Sequence, residues 1–166
     1  MRRFFPKEDV DSIYSIDFGR LWDAGIRGLI IDIDNTLETF DIPDPGPKVV
    51  ALIDDLRQMG FGIVLLSNNG RRRVERFSAS LDCPHIWKAR KPSRKGIRRA
   101  LALLGLAADQ AAIIGDQLFT DCYGGNRMGM HTILTAPIAK RDEWTVWLKR
   151  LPEKIVLRAY ERSKKS

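Results

Sequence analysis

GLIIDIDNTL, residues 28–37, joins an apolar run to a polar cluster within ten positions. Gly28, Leu29, Ile30 and Ile31 carry no polar alternation, which predicts a strand buried on both faces of a parallel sheet. Asp32 and Asp34 follow at once, at the carboxyl end of that strand, where open α/β sheets bind ligands. If the strand ran on, its period of two would put both carboxylates on one side. Such a pair is costly unless a cation neutralises it or one member keeps its proton. The structural alternative is a helix cap after a core strand, since Asp, Asn and Thr all cap helices and form turns.

The whole chain of 166 residues has 44% hydrophobic and 30% charged residues, which predicts one folded domain over 1–166 and excludes disorder. No apolar run has the length of a membrane span. The start, MRRFFPKEDVDS, lacks a long apolar segment, so no secretory signal is expected. Cys83 and Cys122 show neither metal-ligand spacing nor a disulfide framework, which suits a reducing, cytoplasmic setting. The net charge of +7 is uneven. Residues 1–67 hold seven Lys/Arg against twelve Asp/Glu (−5), residues 68–99 eleven against two (+9), and residues 100–166 ten against seven (+3). The basic middle segment calls for an anionic partner or a solvated helix face.

Around the first strand, the pattern predicts an extended lead-in with one helical turn over Gly19–Ala24. A proline-rich loop, ETFDIPDPGPK, then leads into a helix over Lys48–Met59. Further strands are expected at Ile63–Leu66, His85–Ala89, Ala111–Ile114 and His131–Leu134. Helices are expected at Arg71–Leu81, Lys95–Leu104, Arg141–Leu151 and Glu153–Arg162, with a short helix and turn in QLFTDCYGGNRMG. Alternating strands and helices predict a three-layer α/β domain around a parallel sheet.

Polar groups end four of these strands: Asp32 and Asp34, Ser67 and Asn68, Lys91, then Asp116 and Asp121. A parallel sheet delivers all four ends to one edge. Clustered carboxylates suit Mg²⁺, a hard cation that prefers oxygen ligands. A hydroxyl, an ammonium and free backbone amides suit phosphate. Together they describe phosphoryl transfer, in which positioning and charge neutralisation supply most of the catalysis.

DIDNT (32–36), LLSNN (65–69), KP (91–92) and GDQLFTD (115–121) resemble, in order, the four motifs of the haloacid dehalogenase superfamily of phosphatases. GDQLFTDCYGGNRMG closely resembles the YqeG-type branch, which includes mitochondrial phosphatidylglycerophosphate phosphatases. The resemblance spans about Pro6 to Pro137. It implies a Rossmann-like five-stranded sheet of order 3-2-1-4-5, Mg²⁺ dependence and a covalent aspartyl-phosphate. Carried over, Asp32 is the nucleophile and Asp34 the general acid, then base. Asp32, the Asp34 carbonyl and Asp116 ligate Mg²⁺, Asp121 supports the metal, and Ser67 and Lys91 hold the phosphoryl oxygens. Asn68, beside Ser67, is assigned to the phosphate site as well.

Leu37 to Gly62 holds one loop and one helix, and Asn68 to Arg90 likewise, so no cap domain is expected. An open crevice suits a bulky phosphate, with phosphatidylglycerophosphate first. Small soluble phosphates and polynucleotide ends are the alternatives, and a phosphate-accepting switch without turnover is a further one. Trp144, Trp147, Leu148 and Leu151 recur with helical spacing beside Lys140, Arg141, Lys149 and Arg150. This pattern fits a helix packed on the sheet, or one that seats the protein on anionic phospholipid at the inner face of the membrane. Segment 68–99 has only Phe77 and Trp87 as aromatics, which argues against a nucleic-acid partner. His85 and His131 read as structural, and Arg127 as either a phosphate contact or a helix cap.

Overall fold

A computed structural model describes residues 2–139 together with Val156, Tyr160 and Glu161. Its centre is β2 (Gly28–Ile31), whose Leu29, Ile30 and Ile31 are fully buried. Side chains alternate across it. Leu29 and Ile31 join a core with α1 (Phe18–Asp23), α2 (Pro47–Gln58) and α3 (Arg71–Ser78) through Leu21, Ile53, Leu56, Val74 and Phe77. Ile30 joins the opposite core, against Ile97, Ala100 and Leu101 of α4 (Arg94–Leu104). Two apolar faces on one strand make three layers, and each such buried side chain contributes about 1.5–3 kcal/mol.

The remaining strands are β1 (Glu8–Val10), β3 (Gly62–Leu66), β4 (His85–Ile86), β5 (Ala111–Gly115) and β6 (His131–Thr135). All pair in parallel, in the order β1-β6-β5-β2-β3-β4. The expected five-stranded sheet of order 3-2-1-4-5 is therefore corrected to six strands. The five expected strands lie side by side as β4-β3-β2-β5-β6, and β1 adds an outer edge. The sequence shows β1 only as an extended lead-in because Glu-Asp-Val is short and charged, as edge strands often are. Lys7 N donates to the Thr132 carbonyl at 3.0 Å, and Ala136 N to the Val10 carbonyl at 3.0 Å. His131 Nε2 lies 2.6 Å from Glu8 Oε1, and Arg20 also pairs with Glu8.

Gly28 and Gly62 face each other across β2 and β3. A Cβ on Gly28 would lie 2.5 Å from Leu106 Cδ1, and one on Gly62 would lie 2.8 Å from Leu104 Cδ2. The absent side chains let the end of α4 close against the sheet.

Several boundaries move. The third expected strand, His85–Ala89, stops at Ile86, because Lys88 and Arg90 have φ of 45° and 54°. The helix expected to reach Leu81 ends at Ser78. QLFTDCYGGNRMG forms a π-helix (Leu118–Cys122) that runs into α5 (Tyr123–Asn126). The helix expected at Arg141–Leu151, with its tryptophans, falls outside the described residues. Of Glu153–Arg162, Val156, Tyr160 and Glu161 are described and helical. The Tyr160 ring packs 5.2 Å from that of Phe5.

Candidate active site

Strand β2 does not run on to Asp34. Its last ladder bond is Asp32 N to the Ile114 carbonyl, at 2.9 Å. The chain then folds around one acceptor, the Ile33 carbonyl, which receives the N–H groups of Thr36, Leu37 and Glu38 at 3.3, 3.0 and 3.2 Å. Asn35, at φ 63°, makes the reversal, and Ile138 N donates to its carbonyl at 3.1 Å. The turn leaves Asp32 buried at the strand end, while Asp34 faces β3.

A cleft of about 370 Å³ opens there, walled by Asp32, Asp34, Ser67, Asn68 and Lys91, with Phe40 at its rim. Beneath it, carboxylate oxygens of Asp32, Asp116 and Asp121 lie within 4.8 Å of one another, all three residues buried. Lys91 Nζ sits between two of them, 2.8 Å from Asp32 Oδ1 and 2.7 Å from Asp121 Oδ1. Burial pushes the Asp32 carboxyl up to about 7, against the pull of Lys91 and with a further push from Asp121 and Asp34. Burial alone would lower Lys91; the Asp121 and Asp32 carboxylates more than reverse this and hold it above the usual lysine value. Three carboxylates against one ammonium form a set that a hard divalent cation would balance.

The supports are specific. Asp121 Oδ2 accepts from Gln117 N at 3.2 Å and from Thr120 Oγ1 at 3.3 Å. Its carboxylate lies over Gly115, where a Cβ would be only 2.2 Å from Asp121 Cγ. Lys91 is fixed through its backbone: Lys91 N donates to Asn68 Oδ1 at 2.7 Å, and Asn68 Nδ2 donates to the Lys91 carbonyl at 3.2 Å. The Asn68 side chain, expected to bind phosphate, is thus committed to the Lys91 backbone. Ser67 Oγ donates to Asp34 Oδ2 at 3.3 Å and accepts from Asn69 N at 3.1 Å.

Two residues around Asp34 escaped the sequence reading. Asn69 Nδ2 donates to Asp34 Oδ2 at 2.6 Å, and Arg73 Nη2 lies 3.2 Å from Asp34 Oδ1. Asn69 was visible in the SNN motif, but Arg73 is one of three consecutive arginines, and nothing in the run marks it. Away from the cleft, Arg127 reaches the Pro92 carbonyl and lies over the Tyr123 ring, and His85 contacts the Cys83 carbonyl. Cys83 and Cys122 are both buried.

Four strand-end motifs around an acidic cluster on a Rossmann-like sheet define a haloacid dehalogenase-type hydrolase. Residues 88–156 match a family model described as "HAD-hyrolase-like". The chain is 39% identical over 163 residues to Probable phosphatase YqeG of Bacillus subtilis, covering 98% of this chain and 95% of that protein. It is 31% identical over 147 residues to a chloroplastic phosphatidylglycerophosphate phosphatase 1 of Chlamydomonas reinhardtii, covering 83% of this chain and 55% of that one. A solved structure of the haloacid dehalogenase family enzyme bt-2542 of Bacteroides thetaiotaomicron, a magnesium complex, superposes with a TM-score of 0.56 at 13% identity, covering 71% of this chain and 97% of that one. The chain belongs to the haloacid dehalogenase family, in its YqeG-type branch, and is a phosphatase.

Proposed function

We propose that the protein hydrolyses phosphomonoesters through a phosphoryl group held transiently on Asp32, with Mg²⁺ as its metal. One observation carries this reading: among the described residues, Asp32 alone belongs to both the buried acidic cluster and the wall of the open cleft. A nucleophile there meets substrate on one side and cation ligands on the other.

The donor set fits Mg²⁺, since three buried carboxylates offer hard oxygens around a single ammonium. Asp32, Asp116 and the Asp34 backbone carbonyl would hold the ion, with Asp121 in support. When bound, it supplies charge neutralisation for the phosphoryl oxygens. A carboxylate Oδ of Asp32 attacks phosphorus as the bond to the leaving oxygen breaks. Asp34 gives its proton to that oxygen, so the alcohol departs neutral. Asp34, now a carboxylate, takes a proton from water as the water oxygen attacks phosphorus and the Asp32–phosphorus bond breaks. Asp34 ends protonated again and Asp32 ionised. Ser67 and Lys91 bind the phosphoryl oxygens, and Asn68 holds Lys91 at the required height.

The substrate we favour is phosphatidylglycerophosphate, for which the algal relative is named. The link between β2 and β3 adds only the loop before α2, and that between β3 and β4 adds only α3. A cleft without a cap domain admits a bulky leaving group. The chain carries a net charge of +7, and no described helix is long and apolar enough to cross a membrane. Both suit a peripheral enzyme on anionic lipid at the cytoplasmic face. The test is p-nitrophenyl phosphate turnover with Mg²⁺ and with EDTA, in the wild type and in Asp32→Asn. Turnover is expected only in the wild type with metal. Activity that survives either change refutes the mechanism.

A further inference from the structure

A second cavity, a groove of about 780 Å³, opens beside the catalytic cleft and shares Phe40 and Asn69 with it. Asn69 is the partition. Its side chain holds Asp34, while its carbonyl accepts from Lys88 N at 2.8 Å. Arg72, Lys88 and Trp87 also line the groove.

The fold does not require these cations. Arg71, Arg72 and Arg73 fill the first turn of α3, which has no acidic residue and no side-chain cap from Gly70. Positive charge at a helix N-terminus opposes the macrodipole. Arg73 is taken up by Asp34, Arg71 pairs with Glu75 at 2.7 Å, and Arg76 pairs with Asp44 at 2.6 Å. Among the described residues, Arg72 and Lys88 have no ion pair. Lys88 also sits at φ 45°, a left-handed conformation costly for a residue with a side chain, and it presents its ammonium beside the exposed Trp87. Both side chains are exposed and hydrated, so two costs remain at this place: the opposed helix dipole and the backbone strain at Lys88. An anion bound between Arg72 and Lys88, which both line the groove, offsets the first of these.

We infer that this groove is a subsite for a second anionic group on the leaving group of the substrate. The preferred substrates are then phosphomonoesters that carry another phosphate, free or as a diester, a few bonds from the scissile one. Phe40 and Trp87 flank the spacer between them. The inference rests on the cleft being the phosphatase centre, and it names what lies on the other side of the scissile bond.

The test compares kcat/KM for propanediol monophosphate and propanediol bisphosphate. The wild type is expected to favour the bisphosphate by about tenfold, mainly through KM, as two partly exposed ion pairs would give. In the Arg72→Ala/Lys88→Ala double variant the ratio of the two values falls to about one. Arg72→Lys/Lys88→Arg, which keeps both charges, restores it and controls for folding. Phosphatidylglycerophosphate in mixed micelles separates the sources of the second phosphate. A loss on the lipid equal to that on the bisphosphate places the lipid's diester in the groove. A lipid preference untouched by the double variant, with the bisphosphate preference lost, assigns the groove to a free phosphate; a bisphosphate preference that is absent or insensitive to the double variant overturns the subsite. Such a result leaves p-nitrophenyl phosphate hydrolysis, and the phosphatase centre with it, standing. A wild type that hydrolyses none of these compounds overturns both.

Discussion

Arg73 and Asp34 form an ion pair at the mouth of the cleft, Nη2 to Oδ1 at 3.2 Å, with both side chains largely buried. The same guanidinium donates to the Thr39 carbonyl at 3.3 Å and the Pro43 carbonyl at 3.0 Å. One side chain therefore ties the loop over the cleft to the carboxylate proposed as acid and base. Arg73→Ala should release both and lower kcat/KM on p-nitrophenyl phosphate by about tenfold or more, since small misplacements of a reacting group are costly. Arg73→Lys lacks the planar fork and should recover little. Steady-state kinetics on the two variants checks this, and wild-type rates in Arg73→Ala would contradict it.

Asn68 tests whether Lys91 is positioned from its backbone. Asn68→Ala removes both amide contacts to Lys91, which lie at 2.7 and 3.2 Å. The expected loss is about 1–3 kcal/mol of stability, read from urea unfolding, with a fall in kcat. Asn68→Asp keeps the acceptor and loses the donor, so its stability should fall between the two. Equal midpoints for all three proteins would show that the contacts hold nothing.

Gly115 tests the packing under the acidic cluster. A methyl group there meets the Asp121 carboxylate at 2.2 Å, and that carboxylate also holds Lys91. Gly115→Ala should cost about 1–3 kcal/mol, as overpacking does, and should abolish turnover by displacing Asp121. A folded, active Gly115→Ala protein would remove the steric argument.

The folded state should bind Mg²⁺ through its acidic cluster while the unfolded chain does not. Mg²⁺ at a hundredfold excess over Kd should therefore stabilise the fold by about 2.7 kcal/mol and raise Tm relative to EDTA. Asp116→Asn should shrink that shift without a substrate being present. A Tm indifferent to the ion would exclude a tight site at these residues.

What was legible in the chain divides along physical lines. Asp32, Ser67 and Asp116 could be placed because apolar runs mark the strands and a parallel sheet gathers their ends; Lys91 lies past the shortened β4 and reaches the site through Asn68. The reversal after Asp34 could not: it depends on three N–H groups converging on the Ile33 carbonyl and on Asn35 at φ 63°. Nor could the choice of Arg73 over Arg71 and Arg72, because helical phase alone turns it inward beside Val74 and Phe77. Strand β1 has three residues, two of them acidic, and only its pairing with β6 makes it a strand. The contacts of Asn68 with the Lys91 backbone, 23 residues away, have no signal in the sequence either.

The most direct measurement of a covalent route through Asp32 is rapid quenching of the Mg²⁺-loaded enzyme during p-nitrophenyl phosphate turnover, with mass spectrometry of its peptides. One phosphoryl group should appear on the peptide that contains Asp32, be released by hydroxylamine and be absent in Asp32→Asn. It should accumulate in Asp34→Asn, where the base for the second step is missing. A phosphoryl group on another peptide, or full turnover in Asp32→Asn with none trapped, would contradict Asp32 as the nucleophile.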